Sequence, residues 1–151
     1  MSFFSKNILT KDELDLIAKT ISEVEKTTIG EVRVQVQKRR AWKDRYLPVY
    51  DLALKNFHEL GMNNTKDKTG VLVFLLISDQ KFQIIGDEGI HKKVTKEFWD
   101  VLALKMIDYF RQNKFADGII EAVKQIGEVL AREFPMKAGD TNELSNDVII
   151  S

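Results

Sequence analysis

Four acidic side chains stand at the ends of apolar segments: Glu31 opens EVRVQVQ, Asp67 precedes TGVLVFLLIS, and Asp87 and Glu88 follow KFQIIG. Carboxylates brought together repel one another, and a hard cation relieves that repulsion. Calcium takes about six to eight oxygen ligands and magnesium keeps several waters, so a few carboxylates on loops, with carbonyls and water, would suffice. His91 in DEGIH follows the acidic pair and offers an imidazole ligand or a general acid and base, although a solitary loop histidine usually does neither. His58, beside Phe57, reads as structural. As a linear motif NNTKDKTG places oxygen side chains at Asn63, Thr65 and Asp67, but it lacks a closing bidentate acid and carries Lys66 and Lys68. Taken alone it reads as a surface turn.

A second chemistry is available in KRRAWKDR. Lys38, Arg39, Arg40, Lys43 and Arg45, interleaved with Trp42 and Tyr46, could grip a phosphate backbone and stack a base. The commoner outcome is a solvated loop whose tryptophan packs on the body, and nucleic acid is the less favoured partner. Phe98 and Trp99, at helical spacing with other apolar residues, belong to the core. The chain has no phosphate-binding glycine loop, nucleophile elbow, dinucleotide fingerprint or two-histidine zinc helix. With no cysteine, thiol nucleophiles and thiolate zinc sites are excluded.

These acids meet only if particular elements carry them. Thr10 and Glu13 have capping-box spacing, and Leu14, Ile17, Ile21 and Val24 repeat at three and four residues, predicting a helix over 10–27. Beyond Gly30, Val32, Val34 and Val36 alternate with polar residues, the period of a strand with one buried face. Pro48 suits the first turn of a second helix whose stripe of Val49, Leu52, Ala53, Phe57 and Leu60 ends at Gly61. GVLVFLLIS is apolar at nearly every position and predicts a central strand covered on both faces. Asp79 and Gln80 turn it back into KFQIIG as an antiparallel hairpin, while strand, helix, strand before it implies a parallel right-handed crossover. Helices over 95–112 and 116–133 complete a three-layer α/β/α sandwich with a small mixed sheet covered on both faces. In that topology the first two strands begin, and the third ends, on one rim, which gathers Glu31, Asp67, Asp87 and Glu88.

The chain's 151 residues suit one domain, read as 1–135, followed by a mobile tail over 136–151 in which 148–150 could dock on a sheet edge. Lys plus Arg and Asp plus Glu number 23 each, so no global field favours nucleic acid or an anionic membrane, and any charged partner must be recognised locally. The longest apolar run, 71–77, is far shorter than a membrane span, and MSFFSKN lacks a signal-peptide core; the expectation is a cytoplasmic protein.

The segments TGVLVFLLISDQKFQIIGDEGIHKKV, FWD and FADGIIEAVKQIGEVLAREFP resemble the TPM-domain family, also labelled TPM phosphatase, over residues 8–135. The resemblance rests on the DKTGVLVF entry, the charged hairpin, the G-x-x-G exit at Gly86 and Gly89, and the F-x-x-G-I helix at Phe115, Gly118 and Ile119. It implies an α/β/α sandwich whose loop carboxylates bind calcium or magnesium, with weak acid phosphatase activity in some members and roles in membrane-protein maintenance in others. Carried over residue by residue, the family's acidic loops fall on Asp67, Asp87 and Glu88; Glu31 rests on topology alone. Relatives often place an aromatic between the two exit glycines, where this chain has Asp87 and Glu88. Three functions follow as expectations: a small cytosolic module that binds a divalent cation and presents a surface to a protein partner; a weak metal-dependent phosphatase assisted by Lys68 or His91; and a metal-free module using the loop near residue 40 or the C-terminal tail against protein or nucleic acid.

Overall fold

The computed structural model describes residues 8–137, 139 and 145–151. Helix α1 (Lys11–Glu25) begins at a capping box in which the Thr10 hydroxyl accepts from the Glu13 N–H at 3.1 Å and the Glu13 carboxylate accepts from the Thr10 N–H at 2.8 Å. Strand β1 (Glu31–Gln37) leads through a 3₁₀ turn at Trp42–Asp44 into α2 (Val49–Glu59). That helix stops at Gly61, whose φ of 75° is left-handed and favours glycine. Strands β2 (Gly70–Leu76) and β3 (Lys81–Gly86) form the hairpin, followed by the one-turn helix α3 (Glu88–His91), α4 (Lys96–Arg111), α5 (Phe115–Glu133) and the short strand β4 (Ile149–Ile150).

The sheet order is β3-β2-β1-β4. β1 runs parallel to β2 with Glu31 opposite Gly70, and β2 runs antiparallel to β3 with Val71 opposite Gly86. Val32, Val34 and Val36 align with Val71, Val73 and Leu75, and this face packs beneath α1, α4 and α5. The other face, Leu72, Phe74, Leu76 and Ile85, packs against Leu52, Ala53 and Phe57 of α2 and against Met62. β2 is therefore buried at every position, as its unbroken apolar run requires.

One element differs from expectation and one agrees with it. DEGIH reads as loop, yet the Asp87 carboxylate accepts from the Glu88 N–H at 2.8 Å and starts one helical turn, an element too short to carry a periodicity. At the C-terminus, Ile149 and Ile150 pair with Gln35 and Val36 on the free edge of β1, the docking that residues 148–150 suggested. The expected mobile tail otherwise falls largely on 138 and 140–144, outside the described residues.

Phe74 is fully buried between β2 and α2. Phe74→Ala is expected to cost about 3–5 kcal/mol in urea unfolding, whereas Leu104→Ala, on a residue 67% exposed, should stay within about 0.5 kcal/mol.

Candidate metal centre

The two rim loops meet through their backbones. The Asp87 N–H donates to the Gly70 carbonyl at 3.0 Å, the last rung of the hairpin, and the Gly89 N–H donates to the Lys68 carbonyl at 3.0 Å. A Cβ at Gly89 would lie 2.6 Å from the Lys68 carbonyl oxygen and closer still to that of Asp67. Asp67 and the Asp87–Glu88 pair therefore share one rim, as the topology requires. The entry loop is shaped by its own polar groups: buried Thr65 accepts from the Thr69 N–H at 3.0 Å, Lys68 takes φ 56°, and its ammonium donates to the Asn63 carbonyl at 2.8 Å. Asp67 and Glu88 are exposed. Asp87 is half-buried; one carboxylate oxygen caps α3, and the other, Oδ2, is buried without a hydrogen-bond partner among the described residues. His91 is exposed on α3, its N–H donating to the Asp87 carbonyl at 3.2 Å.

Glu31 departs from the expected set. Its backbone starts β1 at the rim, but its side chain is fully buried and hydrogen-bonded to Glu25 at the end of α1. Glu25 is equally buried, and its Oε2 accepts from the Val32 N–H at 2.7 Å, covering the edge of β1 upstream of β4. Burial first, then the neighbouring Glu31 charge, pushes the Glu25 carboxyl up to about 8, against the lowering effect of the Val32 hydrogen bond and Arg33. Burial likewise lowers Arg33, whose surrounding charges are Glu25, Asp147 and Glu31. The signal for this pair lay in spacing: Glu25 falls four residues beyond Ile21 and eight beyond Ile17, on the buried stripe. Among the described residues no group of three or more His, Asp or Glu side chains is gathered to hold an ion, so the rim offers one buried carboxylate oxygen, carbonyls and two exposed acids.

Outside the rim, Trp42 does not pack on the body; it is 78% exposed, as Tyr46 is at 87%. Phe98 and Trp99 are half-buried against the larger core, and His58 is exposed with its ring edge-on to Phe57. A cleft of about 600 Å³ runs between β3 and α4, lined by Phe82, Ile84, Trp99 and Ile107 among others, and none of the four acids borders it.

Compared with known proteins, the chain matches the family model described as TPM domain over residues 3–129. The solution structure of BA42 protein from the psychrophilic bacterium Bizionia argentinensis is similar at 34% identity and TM-score 0.86, covering 97% of each chain. The N-terminal domain of a protein from P. gingivalis shares the fold at 19% identity and TM-score 0.67, over 85% of this chain and 80% of that one. So does the N-terminal domain of cg2496 protein from Corynebacterium glutamicum, at 11% identity and TM-score 0.60, over 81% and 74%. No curated protein matches the chain. Among the described residues no helix is long and apolar enough to cross a membrane.

Two outcomes test this geometry. Because the Glu25 pKa is raised on folding, its stabilising contribution is whole below about pH 4.5, declines as the unfolded state ionises, and is lost above about pH 8. Urea stability is expected to fall across that window, and Glu25→Gln, which keeps an acceptor for Val32, should flatten the fall; an unchanged slope would contradict the buried pair. Gly89→Ala has no room against two carbonyl oxygens and should destabilise the fold by about 1–3 kcal/mol, with amide shifts concentrated in 65–70 and 86–91.

Proposed function

The chain belongs to the TPM-domain family, and from that premise we propose that it is a small cytoplasmic module whose rim binds a divalent cation, calcium or magnesium. The observation that carries this reading is the Asp87 Oδ2 atom, removed from water and given no donor, beside loops whose backbones are locked together at Gly89. A carboxylate oxygen so placed lacks compensation for its desolvation, and a hard cation supplies it. Asp87 would be the anchoring ligand, with exposed Glu88 next to it in the chain and exposed Asp67 brought to the same rim by the Gly89–Lys68 contact, and carbonyls and water completing the shell. Glu31 serves the site from below, holding the start of β1 through its contact with Glu25. The bound ion would cross-link the entry and exit loops and so order a surface for a protein partner.

Acid phosphatase chemistry, the second reading implied by the resemblance, would reuse the same rim. The feature in its favour is His91, placed by α3 within one helical turn of Glu88 and able to move a proton there.

The test is a titration of calcium and of magnesium followed by backbone amide chemical shifts. Shifts confined to residues 63–69 and 86–92, with affinity weakened at least about tenfold in Asp87→Asn, are expected. Shifts that are absent at millimolar ion, or that survive unchanged in Asp87→Asn, would remove the reading. If phosphomonoester turnover is present it should disappear in the same variant.

A further inference from the structure

The turn between β1 and α2 holds two sets of charges with different fates. The inner set is spent on the turn itself. The Arg40 guanidinium donates to the Asp79 carboxylate at 2.7 and 3.1 Å, to the Asp44 carbonyl at 3.3 Å, and to the Leu47 carbonyl. The buried Asp44 carboxylate in turn pairs with Lys55 at 2.7 Å. The outer set, Lys38, Arg39, Lys43 and Arg45, is exposed, and among the described residues none has a carboxylate within ion-pair distance.

Two aromatic rings stand among these outer cations. The Arg45 guanidinium lies 4.0 Å over the Trp42 ring and 4.9 Å from the Tyr46 ring centroid, while donating to the Trp42 carbonyl at 2.7 Å. One cation thus holds both rings in an outward pose, at a position where their exposure costs hydrophobic free energy in water. Tyr50, 52% exposed in the first turn of α2, adds a third ring nearby. The shared guanidinium biases both rings toward this pose, which lowers the ordering cost when a partner arrives.

We propose that this tip docks on an anionic, phosphate-bearing lipid surface. Trp and Tyr are the side chains that settle at headgroup depth, where the ring is shielded and its polar edge stays wet. Lys and Arg around them are attracted by anionic headgroups. A single nucleic-acid strand fits less well, because it needs a groove with successive stacking platforms, and here both rings sit on one turn and close on the same guanidinium. A stable complex with an acidic protein would bury about 800 Å² on each side, far more than two rings and four cations on one turn present, and would need further apolar surface beside them. The exposed aliphatic residues Leu16, Val101 and Leu104 belong to α1 and α4, not to this turn. A lipid interface asks only for a small tip and a ring of positive charge.

The test mixes the full-length chain, in chelator so that no divalent ion bridges it to lipid, with vesicles of phosphatidylcholine alone or with roughly 30 mol% phosphatidylserine. Sedimentation should show at least about tenfold stronger association with the anionic vesicles, weakening as salt rises, with a blue shift of tryptophan emission. The combined Arg39→Glu, Lys43→Glu and Arg45→Glu variant should lose the association with its circular dichroism unchanged. Trp42→Phe should abolish the emission shift, since half-buried Trp99 then remains as the sole tryptophan. Equal association with both vesicles, none at low salt, or undiminished association of the triple variant would overturn the proposal. So would tighter binding of an oligothymidylate or of polyglutamate than of anionic vesicles. Because the chelator empties the rim, neither result depends on the cation reading.

Discussion

The entry and exit loops of the β2–β3 hairpin touch backbone to backbone, and they do so at positions that carry no side chain. Gly89 faces the carbonyls of Asp67 and Lys68, and a Cβ on Gly70 would stand 2.7 Å from the Met62 carbonyl. The segment between Met62 and Gly70 is thereby squeezed from two sides and has little choice of path. Asp67 reaches the rim because of this squeeze, and Asp87 because its N–H closes the last hairpin rung on Gly70. The position of the acids follows from strand register and two missing side chains, before any attraction to an ion is considered.

Much of this was legible from pattern alone. Long elements repeat their apolar residues often enough to fix period and face, so α1, α5, β1 and β2 fall within one or two residues of their expected limits. The three-layer arrangement follows from them, because β2 has no polar face and must be covered twice. α3 escaped because four residues contain barely one turn; its only local signal is Asp87 as a cap. The short apolar run 148–150 suggested docking on a sheet edge, but which edge it takes depends on the side of β1 left open by β2, a tertiary condition that two paired residues do not express.

Glu31 and Trp42 show why topology and residue type alone leave the direction of a side chain open. Topology put the Glu31 backbone at the rim correctly, but strand alternation also decides where the side chain goes, and it goes into protein, to Glu25. An acid lying on a buried helical stripe, as Glu25 does relative to Ile17 and Ile21, already signals a buried partner. Trp42 fails in the opposite direction. A tryptophan in a loop ordinarily finds apolar surface to cover, but here a guanidinium on the same turn offers it a cation–π contact, and Arg40 and Asp44 hold the turn away from collapse.

The zero net charge of the chain is therefore a sum of local imbalances rather than their absence. Asp67, Asp87 and Glu88 stand where β2 begins and β3 ends; Lys38, Arg39, Lys43 and Arg45 stand beyond the far end of β1. Between them lies the length of a seven-residue strand, about 20 Å, or about two and a half Debye lengths at physiological salt. At that distance a charge placed at the rim would barely alter the potential at the basic tip, so the two ends are electrostatically independent of one another. What joins the two ends is β1 and β2, packed tightly and largely buried with helices on both faces, and a close-packed sheet of this kind transmits strain even where salt screens charge.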